Sequence, residues 1–152
     1  MSDSGATQQA PVPAGLLRRL GAMLYDTLIV TALLMVVTAS LLPFTGGEAI
    51  TSERYGALEY VYQVALVSIV VVFFAWFWTH RGQTLGMQAW RLKVVRQDAS
   101  TLTWVDALKR LTAAIISLAP LGLGYFWLLI DRDKLTWHDR LTRTRVIVIP
   151  KK

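Results

Sequence analysis

An apolar run from about Leu20 to Leu42 is long enough to cross a lipid bilayer as one helix, yet it contains one ionisable residue, Asp26. A carboxylate at the centre of a membrane helix costs at least about 2.5 to 3.5 kcal/mol, and such residues usually face the interior of a helix bundle. The run predicts a spanning helix. Asp26 indicates that this helix carries either a functional group or a fixed buried contact.

Arg19 lies beside Arg18 at the start of the run and shares a helix face with Asp26, because the two are close to two turns apart. A rise of about 1.5 Å per residue still separates them by about 10 Å along the axis. We expect Arg19 to extend outward to the lipid headgroups and Asp26 to point inward, where it needs another partner. The candidate partners of Asp26 are Gln63, Ser68, Lys109, Arg110 and Thr112.

Asp26 has two possible roles. In the first, the carboxylate exchanges a proton or a cation, since protonation can compete with a cationic partner or an ion. In the second, it forms a permanent salt bridge or hydrogen bond that locks two helices together. A wet cavity reaching Asp26 would favour exchange, and a dry carboxylate held by one arginine would favour the structural role.

The composition is that of an integral membrane protein. Of the 152 residues, 54% are hydrophobic, against about 45 to 50% in typical soluble domains, and the mean hydropathy is +0.43. A second apolar run extends from about Ala57 to Trp78, with no charge after Glu59. There is no cysteine, the two histidines form no ligand cluster, and no nucleophile with an adjacent base is apparent. We therefore predict no enzyme activity, no metal and no cofactor.

The basic residues are strongly partitioned along the chain, which has a net charge of +6. Only Arg54 lies between the two apolar runs, whereas segments 80–110 and 131–152 are rich in lysine and arginine. Cytoplasmic segments of membrane proteins carry such an excess, so we expect a bacterial inner-membrane protein with both termini in the cytoplasm. The charge then reflects topology rather than nucleic-acid binding, and the same residues could bind anionic lipids.

A third apolar segment, residues 108–130, is interrupted by Pro120, Gly122 and Gly124. One straight crossing would put the basic C-terminal segment outside the cell. We therefore predict a helix that breaks at residues 119–124 and turns back as a re-entrant hairpin. Each arm would be short for a bilayer core of about 30 Å and would need shelter from the rest of the protein.

Two short β-branched runs, residues 91–96 and 145–149, predict strands that pair at the cytoplasmic surface. Residues 1–13 show no periodicity and predict a disordered tail. The expected fold is an all-α integral membrane domain over residues 14–150. Its parts are full spans at about 20–42 and 57–78, a broken third segment at 108–130 and a small cytoplasmic two-strand element.

Three sequence blocks, in this order, resemble the RDD family of bacterial membrane proteins, which is named for one arginine and two aspartates. The blocks are Arg19-x-x-Ala22-x-x-x-Asp26, the loop Gly82 to Gly86, and Thr136 to Leu141 followed by Thr144-Arg145-Val146. The resemblance extends over residues 17–149. It departs where the family often has glycine, at the 97–100 turn and at Arg143.

This resemblance makes Arg19, Asp26 and Asp139 the name-giving residues, with Asp131 as a further candidate. It implies a polytopic membrane domain with a role in transport, and ion or proton exchange in some members.

Asp139 also has two interpretations. Thr136 and Asp139 have the spacing of a capping box, in which the carboxylate satisfies backbone amides at the start of a short surface helix. Alternatively, Asp139 pairs with a basic residue such as Arg81 or Arg91 and holds the cytoplasmic segment to the spans.

The neighbouring polar residues carry weaker signals. Asp131 and Asp133 form a D-x-D pattern without the rest of a calcium loop, so we assign no metal to them. A lone histidine with no partner in view is typical of a protein surface, and we interpret His138 in that way.

The function that this pattern favours is transport of an ion or small solute, with possible proton coupling. Three apolar segments enclose little pathway of their own, so we expect a homo-oligomer or a partner membrane subunit. The alternative is a non-transporting scaffold or assembly subunit in which Asp26 only pairs helices.

Overall fold

The computed structural model describes residues 11–150. Seven helices and two strands follow one another in the described chain. They are α1 (Leu16–Leu41), α2 (Ser52–Tyr55), α3 (Leu58–His80), α4 (Leu85–Ala89), β1 (Leu92–Arg96), α5 (Trp104–Leu118), α6 (Leu123–Phe126), α7 (Trp137–Thr142) and β2 (Thr144–Val148). Single 3-10 turns at Leu42–Phe44 and Trp127–Leu129 extend α1 and α6.

Two of these helices are long and apolar enough to cross a membrane, as predicted. The first, Leu16–Phe44, includes the 3-10 turn around Pro43, and the second is α3. At about 1.5 Å per residue, the 26 residues of α1 extend about 39 Å, and the 23 residues of α3 extend about 35 Å. Both exceed a hydrocarbon core of about 30 Å. Most of their side chains are exposed in the isolated chain, as expected of surfaces that face lipid.

The third apolar segment is broken where the sequence predicted a break. Helices α5 and α6, the latter with its 3-10 turn, meet at an angle of 105°. Gly122 adopts a left-handed conformation with φ +76°, which favours glycine, and Gly124 packs so close to Ser117 that a Cβ would lie 2.6 Å from the serine Cβ. The prediction placed the start of this segment at residue 108, but α5 begins at Trp104, because Thr103 and Asp106 form a capping box.

The two predicted strands are present and pair in antiparallel register, with Val94 opposite Val146. The chain before α1 adds to this sheet: Pro13 forms a bridge with Ile147, and the Ala14 amide donates to the Val146 carbonyl at 2.9 Å. Residues 11–13 of the predicted tail thus lie along β2, and residues 1–10 are outside the described chain. The start of α1, the segment after α3 and the end of the described chain meet at one end of the helices.

At two positions where the RDD family often has glycine, this chain has another residue in a left-handed backbone conformation. Ala99, in the turn after β1, has φ +66°, and Arg143, which caps α7, has φ +52°. Both are non-glycine residues in a region that glycine adopts without strain. The turns keep the geometry that a glycine would favour.

Candidate functional site

Asp139 lies at the centre of a buried ion cluster that joins three helices. Its Oδ2 accepts a hydrogen bond from Arg19 Nη1 of α1 at 2.5 Å, and its Oδ1 accepts one from Arg110 Nη1 of α5 at 2.7 Å. The aspartate is fully buried, and each arginine is only about 5 to 6% exposed. We call Arg19, Arg110 and Asp139 the charged triad.

The electrostatics of the charged triad favour an ionised Asp139. Burial by itself would raise the pKa of this carboxyl group, but the positive charges of Arg110 and Arg19 outweigh that effect and hold the pKa well below its usual range. Desolvating three charged groups is expensive, and their mutual attraction offsets the cost only when the geometry is good and the remaining polar atoms are satisfied.

Asp139 is held in place by the local sequence of α7. Thr136 and Asp139 form the predicted capping box, in which the Thr136 hydroxyl accepts from the Asp139 amide and the carboxylate accepts from the Thr136 amide, both at 3.3 Å. The carboxylate therefore caps α7 and pairs with arginines at once. The predicted partners Arg81 and Arg91 are wrong: the arginines are those of α1 and α5.

The prediction that Arg19 extends to the headgroups is also wrong. Its Nε donates to the Ala14 carbonyl at 3.1 Å, and its Nη2 donates to the Lys134 carbonyl at 3.2 Å, in addition to the pair with Asp139. A buried carboxylate and two carbonyls satisfy the guanidinium within the protein, so it has no need of the headgroup layer.

Asp26 is buried on the same face of α1 as Arg19, two turns along, without a charged partner among the described residues. Its Oδ2 accepts from the Thr84 hydroxyl at 2.5 Å and its Oδ1 accepts from the Gly86 amide at 2.8 Å. Only glycine fits at position 86, because a Cβ there would lie 2.3 Å from the Ala22 carbonyl oxygen and 2.8 Å from Asp26 Cγ. None of the five predicted partners hydrogen-bonds to Asp26, which instead binds the start of α4: its N-cap Thr84 and Gly86 in its first turn.

A cavity of about 200 Å³ connects Asp26 with the charged triad. Its wall includes Asp26 and Arg19 from α1, Trp78 from α3 and Arg110 from α5. Most of the remaining wall is apolar. The cavity thus brings together two guanidinium groups and one carboxylate that has no ion pair within residues 11–150.

The aromatic side of the cavity includes a buried histidine. His138 is 4% exposed rather than on the surface as predicted, its ring centroid lies 4.7 Å from that of Tyr125, and its Nε2 lies 3.0 Å from the Thr136 hydroxyl. Burial and the charge of Arg110 lower the pKa of His138 to about 3. The ring is therefore neutral near physiological pH.

Asp131 stands apart from this site. It accepts a hydrogen bond from the Leu135 amide at 2.9 Å and pairs with Arg140, and these contacts lower the pKa of its carboxyl group. Asp131 does not line the cavity. Its contacts order the turn before α7.

Several functional positions were missed by sequence reasoning. Arg110 was predicted only as a candidate partner of Asp26. A charged residue within an apolar segment is the same pattern that indicates a role for Asp26, so it could have indicated one for Arg110. Thr84 and Gly86 lie in a recognised loop motif, but a backbone amide donor leaves no mark in the side-chain pattern. No group of three or more His, Cys, Asp or Glu side chains suited to a metal occurs in residues 11–150.

The comparisons with known proteins agree with the motifs. The sequence profile of the RDD family matches residues 13–143. An uncharacterised protein of Rickettsia prowazekii (strain Madrid E) is 32% identical over 81 residues, which cover 53% of this chain and 45% of the relative. The match thus spans less than half of that relative's length. No solved structure matches the chain. Because the family profile covers most of the chain, including the charged triad and Asp26, the chain belongs to the RDD family.

Proposed function

We propose that this protein is a multi-pass inner-membrane protein that moves a small solute or ion, with Asp26 as the group that takes up and releases a proton. The observation that carries the proposal is the cavity beside Asp26: the carboxylate is buried within a candidate span, has no ion pair among the described residues, and borders a cavity of about 200 Å³. An intramembrane acid that borders a cavity is typical of proton-linked transport.

The charged triad supports different roles for the two buried acids, a fixed contact for Asp139 and proton exchange for Asp26. Asp139 already neutralises one of the two arginines and binds both, so it serves as a fixed anchor between α1, α5 and α7. Asp26 is held by two neutral donors instead, and a protonated carboxyl group could keep either contact. Of the two acids, Asp26 is the one that can change charge without breaking an ion pair.

The sheet supports a topology in which both ends of the described chain lie on one side of the membrane, and the charge partition assigns that side to the cytoplasm. Residues 12–14, β1 and β2 are hydrogen-bonded to one another, so they belong on the same side of any membrane that the helices cross. Two full crossings return the chain to the starting side at β1. The bent pair α5 and α6 must then enter and leave on that side, as a re-entrant hairpin would.

A second candidate function is a scaffold that carries no solute. It is favoured by one observation: both oxygens of Asp26 are hydrogen-bonded to the start of α4, through Thr84 and Gly86, which ties α1 to α4. In that role the carboxylate would be a fixed contact and the cavity would have no ligand.

The test is Asp26→Asn in purified protein reconstituted into liposomes. Asparagine can accept from the Gly86 amide and donate to the Thr84 hydroxyl, and no cation is left without its partner, so we expect normal membrane abundance and a melting temperature close to wild type. Solute flux driven by a pH gradient should be lost. Asp133→Asn is the matched control, because that aspartate is 72% exposed and does not line the cavity.

The scaffold function makes the opposite prediction. Wild-type protein would then show no flux driven by a pH gradient with any solute of an ion and small-molecule panel, and Asp26→Asn would change stability alone.

A further inference from the structure

Two polar groups on the cavity wall have donors that no described residue uses. Arg110 donates to Asp139 and Thr144 through Nη1, which leaves Nε and Nη2 without an acceptor in residues 11–150. Trp78 is 8% exposed, and its indole Nε1 is buried without a partner in the same part of the chain. The Arg110 guanidinium carbon lies 5.5 Å from the Trp78 ring centroid, so the two donor groups are neighbours. Buried donors are nearly always satisfied, so the unpaired indole Nε1, beside the unused Nε and Nη2 of Arg110, points to a bound acceptor.

The charge around the cavity indicates that the bound acceptor is an anion. The charged triad contains two guanidinium groups and one carboxylate, which leaves one positive charge beside the cavity. A cation would face this charge without a set of oxygen ligands, since Asp26 already binds Thr84 and Gly86. A monoanion would neutralise it. Arginine also presents its donors in a planar fork that matches a carboxylate.

The volume of the cavity and the residues of its wall restrict the chemical class of the ligand further. A volume of about 200 Å³ is below the roughly 300 to 1,000 Å³ of drug-sized sites, so the ligand is small. Ala22, Phe74, Leu111 and Ala114 form apolar wall, which would leave a hydrated inorganic anion poorly solvated but suits a short hydrocarbon group.

We propose that this cavity binds a short-chain monocarboxylate, whose carboxylate accepts from Arg110 and Trp78 and whose hydrocarbon part packs against the apolar wall. The inference names the solute class of the transport proposed above and rests on that proposal for the transport step, although binding itself does not require transport.

A proton on Asp26 completes the charge balance. With Asp26 ionised, the cavity and the charged triad are together neutral, and an entering anion would be repelled by the Asp26 carboxylate. The other titratable groups on the wall are Arg19 on the same helix, Arg110 of α5, Tyr125 of α6 and His138 of α7. The arginines stay charged and Tyr125 stays neutral near physiological pH, and the low pKa of His138 keeps it neutral as well. Asp26 is thus the group through which pH controls binding.

The binding test uses the full chain purified in detergent, with isothermal calorimetry and thermal shift as readouts. The probes are propionate and butyrate, with propionamide as the neutral analogue of the same shape and sodium chloride as the inorganic control. We expect saturable binding of the carboxylates only. Equal binding of propionate and propionamide, or binding of neither, would overturn the proposal.

The variant Trp78→Phe removes the indole donor and keeps an aromatic ring. We expect propionate affinity to fall about ten- to a hundredfold, the range for losing a hydrogen bond to a charged group. Trp76→Phe is the matched control, since Trp76 lies on the same helix, is 44% exposed and does not line the cavity. Unchanged affinity in Trp78→Phe would overturn the proposal. Arg110→Lys keeps the positive charge but loses the planar fork, and it should weaken binding without removing it.

The pH dependence separates this inference from the proposed function. Wild-type affinity for propionate should rise as pH falls within the range where propionate stays ionised, and Asp26→Asn should bind with no such dependence. Flux driven by a pH gradient without propionate binding would leave transport standing and overturn the solute class. Propionate binding without any flux would support the binding site and overturn the proposed transport function.

Discussion

Arg19 Nη1 lies 2.5 Å from Asp139 Oδ2, although 120 positions separate the two residues in the sequence. This ion pair fixes the first turn of α1 to α7, and Arg110 fixes α5 to the same carboxylate. One buried aspartate therefore organises the end of the molecule at which the sheet and the helix starts meet.

Asp139→Asn should strongly destabilise the protein. The substitution leaves two buried guanidinium groups without their counter-charge, and breaking a buried pair costs about 3 to 5 kcal/mol in soluble proteins. We expect low abundance in membranes and a markedly lower melting temperature in detergent. Asp133→Asn, at a largely exposed side chain, should change stability by less than about 0.5 kcal/mol. Wild-type stability in Asp139→Asn would show that the charged triad does not hold the helices together.

Gly86→Ala should push the first turn of α4 away from α1. The added methyl group would lie 2.3 Å from the Ala22 carbonyl oxygen, a backbone atom that cannot move alone. Overpacking of this kind costs about 1 to 3 kcal/mol. The control is Gly15→Ala, where no atom lies within 4 Å of the position that the new methyl group would take and the conformation is extended. Equal melting temperatures for the two variants would contradict the close contact.

Elements that depend on local sequence were predictable. The two spans follow from the length of the apolar runs, the break from Pro120 and its neighbouring glycines, and the strand pair from β-branched residues. The charged triad was not predictable, because its members come from three distant segments. The expectation for Arg19 failed because Asp139 of α7 supplies a carboxylate at the start of α1, which a rule based on a single helix in lipid does not consider.

The partner of Asp26 could not be found for a different reason. The sequence predicts charged or polar side chains of neighbouring spans as partners, whereas Asp26 accepts from the hydroxyl that precedes α4 and from a backbone amide in the first turn of α4. The close approach of Gly86 makes that amide available. The glycine was visible in the motif, but its contact was not.

The free energy of unfolding should decrease as the pH falls, because protonation of His138 favours the unfolded chain. Its pKa is lowered in the folded protein from 6.5 to about 3, so the unfolded chain binds the proton more readily. The free energy of unfolding keeps its full value above pH 6.5, the pKa of His138 in the unfolded chain. It decreases as the pH falls towards the pKa in the folded protein, and the loss is about 2 kcal/mol at pH 5. Melting temperatures measured across this range should decrease in wild type and decrease less in His138→Gln. His80→Gln, at an exposed histidine, should retain the wild-type profile.

Ala99→Gly should stabilise the turn after β1. Ala99 has φ +66°, a conformation that costs an L-residue about 1 to 2 kcal/mol and glycine almost nothing. Part of this gain is lost because glycine makes the unfolded chain more flexible, so we expect a net gain of about 0.5 to 1 kcal/mol. Ala89→Gly, at an exposed residue of α4, should lower stability instead. A lower melting temperature for Ala99→Gly would contradict the left-handed turn.

The proposed topology predicts the pattern of labelling from outside the cell. The chain lacks cysteine, so single cysteines introduced at Ser2, Ser52, Ser100 and Lys152 can be labelled with a membrane-impermeant thiol reagent in intact cells. Only the cysteine at Ser52 should react, since α2 lies between the two spans, whereas the paired strands put both ends of the described chain on the opposite side. All four should react after the membrane is permeabilised, which controls for access. Labelling at Lys152 in intact cells would mean that the α5–α6 segment crosses the membrane once, and the re-entrant hairpin would then be wrong.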